Sequence, residues 1–132
     1  MNIEILTICD AAVDYSGRLS ILGAFDVINA HRFPAVHPHC SVALRIRFDR
    51  METGSHPFML NIVDEDGKNI IPPIQGNMEV KMPPGFMSSA VNVVLNLQGL
   101  KFERPGEYSV NFDIDGESVS FLPVFVHQVQ QG

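Results

Sequence analysis

The feature that most limits what this chain can fold into is an alternation of apolar and polar residues with a period of two. Between residues 42 and 48, large apolar residues occupy every second position, and small or charged residues stand between them. The same alternation returns at residues 91–98 and 108–114. Because successive side chains of a strand point to opposite faces, each segment predicts a strand with one buried and one solvated face.

The remaining apolar segments predict further strands at residues 3–12, 19–28, 58–63 and 78–82. The first two are partly apolar on both faces, which predicts central positions in a sheet. Four turn-forming pairs separate the strands, and each predicts a hairpin: Ser16 with Gly17, Asp66 with Gly67, Pro105 with Gly106, and Asp115 with Gly116. Helical periodicity is missing, so eight or nine strands with almost no helix predict an all-β sandwich or barrel.

Tyr108 favours the sandwich. It follows Pro105 and Gly106 at the start of a strand, which is where the tyrosine corner of immunoglobulin-like sandwiches lies, with its hydroxyl bonded to upstream backbone. Tryptophan is absent and no cysteine follows Tyr108, so the disulfide and tryptophan core of antibody domains is excluded. We therefore predict one antiparallel β-sandwich domain over residues 1–132, immunoglobulin-like in architecture but without that core.

Composition and net charge indicate a folded chain and argue against some classes of binding partner. Hydrophobic residues make up 45% of the 132 positions and charged residues 18%, a balance that favours a folded chain over a disordered one. Nine basic and fifteen acidic residues give a formal charge of −6, which argues against nucleic-acid or anionic-membrane partners. The sequence shows neither an apolar run of membrane-spanning length nor a basic start typical of a signal peptide. We expect a cytoplasmic protein.

The two cysteines, Cys9 and Cys40, are too few for a disulfide scaffold, and their spacing matches neither a redox pair nor a zinc knuckle. We interpret both as buried thiols. A disulfide between them is the alternative, and the sequence leaves their redox state open.

Two aspartates stand in otherwise apolar segments. If the first hairpin turns at residues 16–17, Asp10 lies opposite Gly23 and Asp26 lies opposite Thr7, so each carboxylate has a small or hydroxyl-bearing neighbour. We interpret both as structural, either hydrogen-bonded to backbone or directed outward at a strand end.

The order of several motifs resembles a known family. The motifs are residues 9–12, 17–26, 33–38, 64–68, 96–102, 105–108, 115–116 and 122–124. Together they run over nearly the whole chain and resemble a bacterial family of short all-β proteins of unknown function. The resemblance implies a small bacterial all-β protein. Since that family has no established activity, it implies no catalytic residue.

The richest group of metal-ligand residue types is His31, His37, His39 and Cys40, in a segment that we expect to be a loop. Histidine and cysteine are the donors that zinc prefers, and residues two apart in an extended chain face the same way, so His37 and His39 are candidates to share an ion. A closed site would need four ligands. The alternative is that these are polar loop residues and that Cys40 enters the core.

Arginines form a second candidate site. Arg45 and Arg47 project from one predicted strand and Arg50 stands at its end, an arrangement suited to gripping a carboxylate or phosphate. The alternative is a solvated strand face with Asp49 as the counter-charge.

Residues 70–87 hold four of the nine prolines and three of the six methionines, a composition that suits a sheet edge. Met78 alternates with polar neighbours, as expected for a strand that faces the core. Met82, Phe86 and Met87 lie beyond that alternation and beside prolines that prevent regular pairing, so they are candidates for an interaction surface.

No nucleotide-binding, serine-hydrolase or zinc-protease motif is present in the sequence. We therefore predict a non-enzymatic binding or protein-interaction module that uses no cofactor and either captures a protein partner or self-associates. The alternative is a small-ligand or metal-binding protein that uses His31, His37 and His39.

Overall fold

The structure, a computed structural model, describes residues 1–130, and β-strands account for most of them. The strands are β1 (Asn2–Tyr15), β2 (Arg18–Phe25), β3 (Val27–Ala30), β4 (Ala35–Asp49), β5 (Gly54–Val63), β6 (Ile74–Val80), β7 (Ser88–Phe102), β8 (Gly106–Ile114) and β9 (Glu117–Gln128). One turn of 3-10 helix (Arg50–Glu52) joins β4 to β5. The last two residues of the predicted domain lie outside the described part. Within that part, no helix is long and apolar enough to cross a membrane.

The strands form two sheets that pack face to face. The first sheet has the order β2-β1-β4-β7, and the second has the order β3-β9-β8-β5-β6. Neighbouring strands are antiparallel except β3, which runs parallel to β9. The predicted sandwich-like all-β fold is confirmed, while its immunoglobulin-like arrangement stays a prediction.

The core lies between the sheets and is built by the alternation that the sequence shows. Val42, Leu44 and Ile46 on β4 are completely buried in it, as are Val110 and Phe112 on β8. Burying an aliphatic or aromatic side chain of this size stabilises a fold by about 1.5 to 3 kcal/mol. The rows that face inward therefore hold the two sheets together.

Tyr108 makes the contact that its position predicts. Its ring is buried edge-to-face against Phe102, with ring centroids 4.8 Å apart. Its hydroxyl donates a hydrogen bond of 2.7 Å to the backbone carbonyl of Arg104. The tyrosine thus ties the connection between β7 and β8 to the core.

The first hairpin has the predicted register. Ser16 and Gly17 have φ values of 51° and 82°, which suit the two-residue turn that joins antiparallel strands. The pairing of β1 with β2 places Cys9 opposite Ala24 and Ala11 opposite Leu22. Asp10 therefore lies opposite Gly23, where it fills the space that a Cβ would need. Glycine at position 23 is required by this close approach and by its φ of 68°.

Two expectations about strand position are wrong. β2 is an edge strand of the first sheet, although its two-faced apolarity predicts a central one. Pro105 and Gly106 do not close a hairpin, because β7 belongs to the first sheet and β8 to the second. The turn between them carries the chain across the sandwich.

The predicted neighbours Asp26 and Thr7 lie one step beyond the observed pairing. The last pair between β1 and β2 is Ile8 with Phe25, where β2 ends, so Thr7 and Asp26 are the next positions in the same register but form no strand pair. Asp26 stands where the chain leaves the first sheet for the second, and its backbone carbonyl accepts a 2.8 Å hydrogen bond from the amide of Phe125.

Residues 10–23, which we call the β1–β2 arm, bend away from the plane of the first sheet. β1 pairs with β4 only as far as Cys9, and beyond that point it pairs with β2 alone. The Asn92 side-chain amide on β7 donates to Asp14 Oδ1 (3.1 Å) and to the Gly17 carbonyl (3.2 Å) at the tip of the arm. Because β4 lies between β1 and β7, the arm must fold over the outer face of the sheet to reach Asn92.

Burial on β4 agrees with this placement. Ser41 and Ala43 alternate with residues that face the core, so their side chains point to the opposite face. Both are nevertheless completely buried. The β1–β2 arm therefore forms a partial third layer over the first sheet.

Candidate functional site

The predicted arginine row lies on the outer face of the first sheet and is already paired. Glu4 stands at an irregularity in β1, where the register against β4 shifts. One Glu4 carboxylate oxygen accepts from Arg45 Nε at 2.9 Å and the other from Arg47 Nε at 2.6 Å. The Arg47 hydrogen bond is the largest cause of a lowered pKa of Glu4, and Glu4 in turn raises the pKa of Arg47. A ligand carboxylate or phosphate would have to displace Glu4.

The expected counter-charge, Asp49, has a different role. Its Oδ1 accepts a 2.9 Å hydrogen bond from the amide of Met51, and the carboxylate of Glu52 accepts from the amide of Asp49. These reciprocal bonds form a capping box at the start of the 3-10 turn. The acidic partner of Arg45 and Arg47 therefore comes from β1, and their own strand does not supply it.

The histidines are spread over the surface. His37, His39 and Cys40 belong to β4 rather than to the expected loop, and His31 precedes that strand. His31 and His37 line different surface cavities, and Arg45 lines neither of them. Among residues 1–130, no group of three or more His, Cys, Asp or Glu side chains is placed to hold a metal ion. The structure thus does not bring the ligands of the alternative site together.

Both cysteines are free and buried. The Cys40 side chain lies in the core, where burial raises the pKa of the thiol to about 11. Burial also raises the pKa of Cys9, whose Sγ lies 3.4 Å from the carbonyl of Ala11 and 3.5 Å from that of Ser41. Since the thiolate is the reactive form, neither residue is suited to nucleophilic chemistry.

The methionine and phenylalanine candidates divide into two groups. Met82 is half-buried, whereas Phe86 and Met87 expose 58% and 73% of their surface. Met51, on the 3-10 turn, is 93% exposed. The Arg50 guanidinium donates a 3.0 Å hydrogen bond to the backbone carbonyl of Phe86, which joins the 3-10 turn to the loop between β6 and β7. We call Met51, Phe86 and Met87 the loop patch.

Sequence reasoning missed Met51 because it treated residues 70–87 as one segment. The hydrogen bond from Arg50 to the Phe86 carbonyl links the turn that carries Met51 to the loop that carries Phe86. These segments are far apart along the chain, and no local pattern encodes the link. The available signal was a methionine two residues after Asp49, beyond the alternation that ends at Phe48.

His56 is a second residue that sequence reasoning missed. Its ring stacks on Phe48 with centroids 5.0 Å apart. Nδ1 lies 2.8 Å from Asp115 Oδ2, and Nε2 lies 2.6 Å from the carbonyl oxygen of Glu52. The Glu52 carbonyl is the largest cause of a raised pKa of His56, followed by the Asp115 carboxylate. Both ring nitrogens face acceptors, so the protonated imidazole ties the β8–β9 turn to the 3-10 turn.

Comparison with known protein families gives a match that covers most of the chain. A family model described as "Family of unknown function (DUF6941)" matches residues 4–127, from β1 into β9. No curated protein matches the chain. The resemblance to a family of unknown function is thereby confirmed, and the bacterial origin stays an expectation.

Proposed function

We propose that this chain, which belongs to the DUF6941 family, is a non-enzymatic protein-interaction module that binds a protein partner through the loop patch. The observation that carries the proposal is the grouping of Met51, Phe86 and Met87, three large apolar side chains that are mostly exposed, on two loops joined by Arg50. A group of exposed apolar side chains marks an interaction site more often than a single one does. Methionine is common on such surfaces because its flexible side chain adapts to irregular partners.

Backbone contacts support a binding role for this loop. The amide of Phe86 donates to the carbonyl of Pro83 at 3.1 Å, and the carbonyl of Phe86 accepts from Arg50. Both backbone groups of Phe86 are thus satisfied while its ring faces solvent. A loop that is already ordered loses less conformational entropy when a partner binds.

We place this role in the cytoplasm. Cys9 and Cys40 are unpaired and buried in the structure, as expected of thiols in a reducing compartment. This location is a proposal, as is the absence of a catalytic role.

The test compares the same substitution at two exposed phenylalanines. Phe86→Asp places a charge in the loop patch, and Phe121→Asp places one at a 72% exposed position on the outer face of β9. Partner proteins are cross-linked to the chain and recovered with it. We expect the recovered amount to fall at least tenfold with Phe86→Asp and to match the wild type with Phe121→Asp. Both variants should melt within a few degrees of the wild type, because exposed substitutions change stability little.

The proposal fails if Phe86→Asp unfolds the protein, because the segment would then belong to the core. It also fails if both variants recover the same partners in the same amounts. Met87→Asp is a second variant in the loop patch, and it should reproduce the loss seen with Phe86→Asp.

A further inference from the structure

β2 presents an open edge. It is the outermost strand of the first sheet, and no strand pairs with its far side in the described part of the chain. Residues 19–24 carry neither a charge nor a proline, and most of them are exposed. An exposed apolar edge strand offers unpaired amides and carbonyls that another strand can take up.

The hairpin turn determines which backbone groups are free. The residues that flank a two-residue turn form a hydrogen-bonded pair, which here is Tyr15 with Arg18. Hydrogen-bonded and non-hydrogen-bonded pairs then alternate along an antiparallel ladder. Leu19 and Ile21 therefore direct their amides and carbonyls away from β1, toward the open edge.

The face of the arm beside this edge is apolar. Ala11 pairs with Leu22, and Val13 pairs with Ser20, so these side chains share the face that points away from the first sheet. Leu22 is 70% exposed and Val13 is 54% exposed. A strand added to β2 would extend the sheet and bring further side chains against Leu22.

The charges at the two ends of β2 identify the partner strand. Arg18 begins the strand, and Asp26 follows its last residue. Both side chains are exposed, and neither has an ion-pair partner among residues 1–130. In an antiparallel pair of identical strands, the start of one meets the end of the other. Arg18 of each copy then lies beside Asp26 of the second copy, and the strand complements itself.

We propose that two copies of this chain associate through β2. The two strands pair antiparallel, join the two β1–β2 arms into one four-stranded layer, and form two reciprocal Arg18–Asp26 ion pairs across the two-fold axis. An interface of this kind uses the same surface patch on both copies, as closed dimers do. It involves the arm and not the loop patch, so it does not rest on the proposed partner binding.

Two other edges are less suited to this pairing. Beyond Cys9, the far side of β1 in the arm is also open, but Asp10 and Asp14 would bring like charges together in a pair of identical strands. β7 is the other edge of the first sheet, and its outer face carries the amides of Asn92, Asn96 and Gln98. The uncharged apolar stretch on β2 distinguishes it from both.

Charge reversal tests the pairing. In sedimentation velocity across a concentration series, we expect the wild-type chain to reach twice its mass of 14.6 kDa. Arg18→Asp and Asp26→Arg should each raise the dimer dissociation constant at least tenfold, because each places like charges side by side at both ends of the interface. The double variant restores opposite charges and should return the constant to within a few-fold of the wild type. Arg32→Asp, at an exposed site outside the arm, should leave the constant unchanged.

A proline separates backbone pairing from apolar contact. Ile21→Pro removes an amide that points to the open edge and spares the bonds between β2 and β1, so it should give a folded monomer. Ile21→Thr keeps the amide and should still dimerise. Circular dichroism reports whether each variant retains its strands.

Several results would overturn the proposal: a monomeric wild type at every concentration, dimerisation that ignores the charge reversals, or a double variant that fails to recover. If Ile21→Pro unfolds, the dissociation constants of Arg18→Asp, Asp26→Arg and the double variant decide whether the proposal holds. Phe86→Asp should dimerise like the wild type, so a failure here and a failure of the loop-patch proposal give different results.

Discussion

Two of the four edge strands have opposite character, β2 in the first sheet and β6 in the second. β6 carries Glu79 and is followed by Lys81, and paired prolines lie in the segments before and after it. Met78 and Val80 bury their side chains in the core, as predicted for Met78 from its alternation. Charges and prolines are the usual means by which proteins prevent edge pairing. β2 has a charge only at its first residue, so one edge is protected against a neighbour and the other is open to one.

The largest expected effect is a difference in the free energy of unfolding between two variants, each of which truncates one apolar side chain on one of these edges. Met78→Ala on β6 should lower the free energy of unfolding by about 2 to 5 kcal/mol, because it leaves a cavity between the sheets. Leu22→Ala on β2 should change it by about 0.5 kcal/mol or less at concentrations where the protein is monomeric, since that side chain is exposed. Urea denaturation measures both values.

Met87→Ala serves as the matched control for Met78→Ala, because it removes the same atoms from a 73% exposed position. Equal losses for Met78→Ala and Leu22→Ala would contradict the contrast between the edges. It would mean that the arm contributes as much to the core as β6 does.

A smaller difference in stability is expected when a tyrosine hydroxyl is removed from the core and from the arm that carries β2. Tyr108→Phe removes the 2.7 Å hydrogen bond from the buried tyrosine to the backbone carbonyl of Arg104, which should cost about 1 kcal/mol. Tyr15→Phe removes the other tyrosine hydroxyl of the chain, at a 74% exposed position in the arm, and should cost nothing measurable. A melting temperature that is the same for Tyr108→Phe and Tyr15→Phe would exclude a stabilising role for the Tyr108 contact.

The smallest expected effect is a pH dependence of the free energy of unfolding, and it arises beside β6, the edge that charges and prolines protect. His56 belongs to β5, the strand paired with β6, and its pKa in the folded state is raised. A raised pKa means that the folded state binds the proton more tightly, so this stabilisation is complete below the unfolded pKa of about 6.5 and is lost as the pH rises through the folded value. Wild-type stability should therefore fall relative to His56→Asn as the pH rises from below about 6.5 through the folded pKa.

His39→Asn provides the control, because His39 is exposed. Its melting curves should stay parallel to those of the wild type across that range. A constant difference between wild type and His56→Asn at every pH would show that the imidazole does not titrate with folding.

Local features of the fold were predictable from the sequence. Alternation located the strands, and the Ser16–Gly17 turn placed Asp10 opposite Gly23, because turn chemistry and a period of two act over a few residues. The position of β2 at an edge was not predictable, since exposed apolar residues on a folded-over arm give the same pattern as a buried central strand. Sheet order depends on pairing between distant segments.

In the candidate site too, local features were predictable from the sequence and long-range contacts were not. The exposure of Phe86 and Met87 was predictable because prolines interrupt the alternation beside them, while their role in binding stays a prediction. The partner of Arg45 is Glu4, which lies 41 residues away, and the partner of His56 is Asp115, which lies 59 residues away. Such contacts exist only once the sheets have assembled, and no spacing in the sequence signals them.

The folded-over arm has a consequence for local opening. Its tip is held to the first sheet by the hydrogen bonds of Asn92, and the two buried residues on the outer face of β4, Ser41 and Ala43, have small side chains. Lifting the arm exposes little apolar surface, so it requires far less free energy than separating the sheets. Amides in the middle of β4 pair with β1 and β7 and should resist hydrogen exchange up to global unfolding, whereas those of the arm exchange through this local opening. In a monomer the arm is then the first element to detach.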